Sequence, residues 1–386
     1  MAKNPLRRIR AWLGRAKSAP AVVEQVSNIQ QDQTRDVHTI GAQVAALSER
    51  VAMLENTLLT ELAGVREVTS EQSELGFIAT LTLAREAGMQ QLLQTLGEPR
   101  PLRPGLSILT ISWNHAGFLR SAVASALATL DLLSPDEQGA VLVLDDSSSD
   151  ETPQVLEELR AADGRVRPVR SPVNLGLSRA RNVLLHVAET THALMLDADN
   201  TAVPDGARSL YAVAREWSPA FTFGNVIMVH SDGSILAAVS NEPPTTDYFF
   251  VGGPHLDTLG VLDVAYFRQI GGYNPDPAFH AFDDHEVIHR LARLGALIAF
   301  VPTVAGRYRY DRLSHSQAHQ GAHEATIARL RRAYNQDGRL TAQQPTAMAA
   351  HPATGPLWAT PAALAARPEL ATLLPAQSKR HAEASD

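Results

Sequence analysis

The chain has 386 residues, with 34 Lys and Arg against 41 Asp and Glu for a formal net charge of -7, and it contains no cysteine. The length exceeds what one core organises and points to two or more units. The acidic balance offers no field for nucleic acid, and the missing cysteines exclude disulfides, thiolate metal sites and cysteine nucleophiles. No apolar run reaches the roughly 18 residues of a membrane span, and the N-terminus lacks the apolar centre of a secretory signal, so the expected location is cytoplasmic.

Residues 1–20 open the chain with Leu6, Ile9, Trp12 and Leu13 at helical spacing among Arg7, Arg8, Arg10, Arg15 and Lys17. The pattern suits either a short amphipathic helix in peripheral contact with an anionic membrane face through residues 1–17 or a solvated terminus. Residues 21–97 then read as a helical arm. Val23, Val26, Val37, Ile40, Val44, Leu47, Val51, Leu54 and Leu58 step by threes and fours as a heptad seam, with Gln30 and Gln33 as polar seam positions. A homo-oligomeric coiled coil through residues 23–58 is the favoured reading, and a long helix folded back on the rest of the chain is the other.

The Gly- and Pro-rich stretch 98–105 reads as a linker. Beyond it, apolar runs at 106–111, 140–144, 166–169 and 193–196 alternate with amphipathic segments, which predicts an α/β domain over 106–336 with a mostly parallel, Rossmann-like sheet flanked by helices. Residues 337–386 are rich in Ala and Pro without sustained periodicity and are expected to form a flexible tail, with room for one short helix.

Ligands of open α/β sheets bind beyond the carboxyl ends of the strands. There the sequence places Ser112, Trp113 and Asn114 after the first run, Asp145 and Asp146 after the second, and Asp197 and Asp199 after the fourth. Two carboxylates one residue apart suit a hard cation such as Mn2+ or Mg2+, although an acidic turn of this kind is also common as a plain solvated turn.

The stretches LSILTISWNHAGFLRSAVASAL, VLVLDDSSSDET, NLGLSRARNVLL and LMLDADN resemble, in order and spacing, the family 2 glycosyltransferases of the GT-A fold. The likeness spans about residues 106–315. It implies an inverting transfer of a sugar from a nucleotide-sugar donor, usually UDP-linked, to an acceptor hydroxyl, with a metal ion bridging the diphosphate. It also implies roles: Ser112 and Trp113 beside the base, with Asn114 in the same turn; Asp145 or Asp146 at base and ribose; Arg181 at the diphosphate; Asp197 at the ribose or a metal-bound water; and Asp199 on the metal. An arginine fork matching phosphate oxygens and a flat indole for stacking are physically apt for these tasks.

Further on, AFDDHEVIHRLARLG resembles the family's acidic helix, with Asp283 in place of its glutamate and Asp284 at the aspartate that serves as general base. A carboxylate on the face opposite the departing phosphate is what an inverting transfer needs. At 306–316 the family's histidine position holds Asp311, with His315 four residues later, so Arg309 and His315 are weaker candidates for phosphate or metal contacts. The paired glycines Gly271 and Gly272 mark either a tight backbone approach or a surface turn. The acceptor stays open among glycan, lipid-linked and protein hydroxyls, and a non-catalytic glycan-binding scaffold assembled through the arm is the alternative function.

Overall fold

The computed structural model describes residues 71–230, 232–239, 258–279, 282–310, 328–330, 332–333, 346–351 and 355–359. The amphipathic start, the heptad seam and His315 lie outside the described residues.

A 26-residue helix, α1 (Glu71–Leu96), precedes the sheet. The alternation that follows is β1 (Arg103–Ser112), α2 (Ala116–Leu130), β2 (Gln138–Asp145), α3 (Thr152–Ala162), β3 (Val166–Arg170), α4 (Leu177–Val187) and β4 (Thr190–Met195). These four strands run parallel in the order β3-β2-β1-β4, so every one of the four apolar runs becomes a strand of the expected half-sheet. Continuous apolar strands belong where both faces are covered, and the last eight residues of β1 are all buried.

Alternate side chains feed two cores, as the period of two in a strand dictates. Ile108, Val141, Val143 and Leu194 pack on one face with α2 and with α5 (Pro204–Trp217), while Leu109, Leu142, Leu144 and Met195 pack on the other with α4 and Leu92 of α1. The second half of the chain completes the sheet. It supplies β5 (Thr201–Ala202), β6 (Phe221–Val229), β7 (Ile235–Val239), β8 (Gly260–Asp263), α6 (Val264–Gln269), α7 (Asp283–Arg293) and β9 (Ile298–Arg309). Here the sheet is mixed: β8 is antiparallel to both β4 and β6, whereas β6 and β9 are parallel. A four-residue strand carries too little pattern to reveal its direction in advance.

Two domain expectations are corrected. The compact unit holding the sheet begins at Val68, so α1 is part of it rather than of a separate arm, and β1 starts at Arg103 inside the expected linker. The cause is apolar burial: Met89, Leu93 and Leu96 pack on the core that contains Leu92. The expected flexible tail contains an antiparallel pair, β10 (Thr346–His351) with β11 (Gly355–Ala359), joined in register at Thr346–Ala359 and His351–Gly355. Short alanine-rich strands show no strong alternation, yet backbone pairing satisfies their amides. No helix among the described residues is long and apolar enough to cross a membrane.

Candidate active site

The ends of β1, β2, β4 and β9 and the start of α7 carry the candidate residues, and the structure divides them into groups that fasten loops and groups that face outward. Asn114, the second residue after β1, takes a left-handed conformation at φ 56°, a region that Asn tolerates better than most side chains. Its amide donates to Ser148 Oγ at 2.9 Å, and its Oδ1 accepts from the Ser149 amide at 2.8 Å. Asn114 therefore stitches the β1 turn to the β2 turn. The same pair of turns is held by Asp150, whose two carboxylate oxygens accept from Ala116 N at 3.1 Å and Thr152 N at 3.0 Å, at the starts of α2 and α3. Negative charge at two helix N-termini is favourable. Asp150 was not singled out from the sequence, although the acidic residue just before a helical stretch was the available signal.

Asp145 and Asp146 are both essentially buried. Asp145 Oδ1 accepts from Ser148 N at 2.9 Å, and its Oδ2 meets Arg170 Nη1 at 2.9 Å as an ion pair off hydrogen-bond geometry. Asp146 accepts from the amides of Leu175 at 2.7 Å and Gly176 at 3.0 Å. Burial pushes the Asp146 carboxyl up to about 6, and the two amide donors and the Arg85 charge hold it from going further. Of the pair expected at base and ribose, Asp146 shapes loop 171–176 with both of its oxygens. Ser112 ends β1. It is fully buried, with no hydrogen-bond partner for its hydroxyl. Trp113, the first residue after β1, is half-buried.

Arg181, expected at the diphosphate, is held by carboxylates within the fold. It is 1% exposed and donates to Asp283 through Nη1, while Nη2 reaches Asp197 Oδ1 at 3.4 Å and Thr258 Oγ1 at 3.3 Å. Its guanidinium lies over the Tyr273 ring, 5.1 Å from the centroid. Thr258 Oγ1 donates in turn to Asp197 Oδ2 at 3.3 Å. A fork matched to phosphate is equally matched to carboxylates, and here two carboxylates from β4 and α7 occupy it. Burial alone would push the Arg181 guanidinium down, but the charges of Asp283 and Asp197 outweigh that and keep it firmly protonated.

The α7 acidic pair splits. Asp283 is buried against Arg181, whereas Asp284 is half-buried with its Oδ1 accepting from the His285 amide at 2.7 Å. Both lie in the first turn, where the helix N-terminus favours ionised carboxylates. Below them, Glu286 is fully buried in an ion pair with Arg290 at 3.1 Å, and Arg290 also donates to the carbonyls of Ile270 and Gly272. Those contacts fix the 270–273 turn, which crosses Asn182 of α4. A Cβ on Gly272 would lie 2.2 Å from Asn182 Oδ1, and the backbone there has φ 70°. Of the two readings of the glycine pair, Gly272 marks the tight approach, since Asn182 bonds both the amide and the carbonyl of Tyr273, at 2.7 and 2.8 Å.

Asp199 is half-buried beyond β4. Loss of solvation raises its carboxyl and the neighbouring Asp197 charge raises it further, while the His115 and Arg309 charges act the other way. Arg309, at the end of β9, stacks over the Phe118 ring at 4.4 Å and donates through Nε to the Asp199 carbonyl at 3.3 Å. Asn200 Oδ1 accepts from the Arg309 amide at 2.9 Å, tying β9 to the same turn. His115 and Asn200 were missed by sequence reasoning, although each stands directly beside a motif that was read. His115 Nδ1 is buried without a hydrogen-bond partner.

No group of three His, Cys, Asp or Glu among the described residues could hold a metal ion by itself. Asp197 and Asp199 are two carboxylates one residue apart on the turn after β4, a donor set of the kind a hard divalent cation takes, and the Asp197 charge adds to the rise that loss of solvation imposes on Asp199. Such cations take one or two carboxylates and complete their shell with phosphate oxygens and water.

The model of the family described as glycosyl transferase family 2 matches residues 107–260. Among curated proteins, the chain is 27% identical over 146 residues to the putative teichuronic acid biosynthesis glycosyltransferase TuaG of Bacillus subtilis, covering 38% of this chain and 56% of that protein. It is 29% identical over 140 residues to the succinoglycan biosynthesis protein ExoO of Rhizobium meliloti, covering 36% and 37%. The chain thus spans about half or less of the length of these relatives. Among solved structures, S. aureus TarS 1–349 aligns at 16% identity and a TM-score of 0.43, covering 60% of this chain and 73% of that one.

Proposed function

We propose that this chain, which the glycosyl transferase family 2 model matches over residues 107–260, is a glycosyltransferase that moves a sugar from a nucleotide-diphosphate donor, UDP-linked, to an acceptor hydroxyl with inversion. The observation that carries the reading is the split of the α7 pair. Arg181 takes Asp283 into the core and bridges it to Asp197, which leaves Asp284 half-buried on the turn joined through that bridge to the β4 carboxylates.

Asp197 and Asp199 would hold Mn2+ or Mg2+, which when bound supplies positive charge to a departing diphosphate. The remaining work falls to the chain itself. Asp284 accepts the proton of the acceptor hydroxyl as its oxygen bonds the anomeric carbon, while the bond from that carbon to the diphosphate oxygen breaks and its electron pair leaves with the nucleoside diphosphate. A positioned carboxylate of this kind contributes about 10²–10⁴-fold. Trp113, half-buried just after β1, offers its indole face to the base, and Arg309, held against the Asp199 carbonyl, brings a cation to the phosphate side. The relatives named for teichuronic acid and succinoglycan biosynthesis support a glycan acceptor.

The test is release of nucleoside diphosphate from a panel of nucleotide sugars, with Mn2+, with Mg2+ and with chelator. The expected result is metal-dependent release from one donor that Asp199→Ala lowers by about 100-fold or more. Release that chelator and Asp199→Ala leave unchanged rejects the metal role. No release and no binding of any donor rejects the transferase.

A further inference from the structure

Helix α1 lies before the matched stretch of 107–260, yet its side chains grip the loop that leads into α4. Arg85 closes a two-point fork on Asn174, with Nε donating to its backbone carbonyl at 3.2 Å and Nη2 to its Oδ1 at 2.9 Å. One residue along, Glu86 accepts from Arg179 Nε at 3.2 Å. Gly88 then lets the helix close on the loop, since a Cβ there would sit 2.3 Å from Val173 Cγ2. Leu92 completes the seam in the core that holds Leu175. Three side chains and one glycine of a single helix thus span residues 173–179.

The opposite side of that loop is tied into the donor-side turns. Asp146 accepts from Leu175 and Gly176, and Asn174 Nδ2 donates to the Asp146 carbonyl at 3.3 Å. Gly176 begins α4 at φ 76°, and α4 carries Arg181, which holds Asp197 and Asp283. We propose that α1 is a clamp on the donor side of the site, with Arg85 as a positioning residue: by fixing Asn174 it aims the Leu175 and Gly176 amides at Asp146 and sets the start of α4. Donor affinity then depends on a helix outside the family domain, and whatever holds or displaces that helix acts on the donor site. A bidentate arginine is suited to this because its planar fork fixes an orientation that a single point charge does not. The Arg85 charge also opposes the rise that burial imposes on the Asp146 carboxyl.

This inference rests on the donor-site reading above, and its test keeps the two apart. In the full chain, UDP affinity in the presence of Mn2+, amide exchange at Leu175 and Gly176, and Tm are measured for wild type, Arg85→Ala, Arg85→Lys and Leu83→Ser, the last a control on an exposed part of the same helix. Arg85→Ala is expected to weaken UDP binding about tenfold, the order of a charged hydrogen-bond pair, and to speed exchange at both amides. Arg85→Lys should fall between Arg85→Ala and wild type, and Leu83→Ser should match wild type in affinity and exchange. A wild type that binds UDP, with Arg85→Ala binding it equally, overturns the clamp and leaves the donor reading standing, even where Tm falls. A wild type that binds no UDP overturns the donor reading and the clamp with it.

Discussion

The molecule carries two adjacent aspartate pairs, Asp145-Asp146 at the end of β2 and Asp283-Asp284 at the start of α7, and the fold uses them in opposite ways. The first pair is buried whole, and three of its four oxygens accept from the amides of Ser148, Leu175 and Gly176 while the fourth faces Arg170. The second is divided, with Asp283 inside against Arg181 and Asp284 at the surface of the site. The difference comes from secondary structure. After a strand, both carboxylates fall within a turn rich in unpaired amides, and those amides claim them. On a helix, successive side chains point about 100° apart, so burial of one residue turns its neighbour outward.

The division can be broken most severely at Asp283. Asp283→Asn leaves the buried Arg181 with only the longer Asp197 contact at 3.4 Å, and removing one partner of a buried pair costs about 3–5 kcal/mol. Thermal or denaturant unfolding should show a loss of that size, and a change below about 1 kcal/mol would contradict the weight given to the Arg181–Asp283 pair.

Asp146 probes the other pair through pH. Because its folded carboxyl titrates at about 6, above the 3.8 of an unperturbed aspartate, the folded state holds the proton more tightly. The stability it contributes is complete below the ordinary carboxylate range and is lost as pH rises through about 6. Wild type should therefore gain roughly 2–3 kcal/mol relative to Asp146→Asn between pH 7 and pH 4. A pH-independent difference between the two proteins would remove the buried charge from the account.

The smallest effect belongs to the stitch between the two turns. Asn114→Ala removes the acceptor for Ser149 N and places a less tolerant residue at φ 56°. A loss of about 1–2 kcal/mol is expected from calorimetry, with the metal dependence of donor turnover unchanged.

Much of this was legible in the sequence, for reasons that differ by element. The strands β1 to β4 announced themselves because central parallel strands are apolar on both faces, and their polar ends followed from that placement. The docking of α1 was not legible, because Met89, Leu92, Leu93 and Leu96 make the same helical stripe whether the partner is another helix or this sheet. The bridge that Arg181 makes between Asp283 and Asp197 was not legible either, since a guanidinium fork serves phosphate and carboxylate alike and only the tertiary fold supplies the carboxylates. The preference for Asp284 over Asp283 comes from the family resemblance, whereas the burial of Asp283 by Arg181, which leaves Asp284 half-buried, needed the fold.

The most direct test compares Asp284→Asn with Asp283→Asn for both donor turnover and Tm. The account predicts that Asp284→Asn keeps the wild-type Tm within a few degrees and loses about 100-fold or more in nucleoside diphosphate release at unchanged donor KM, while Asp283→Asn loses chiefly stability. An Asp284→Asn protein that turns over donor at the wild-type rate would contradict the assignment of the base and, with it, the functional meaning of the divided pair.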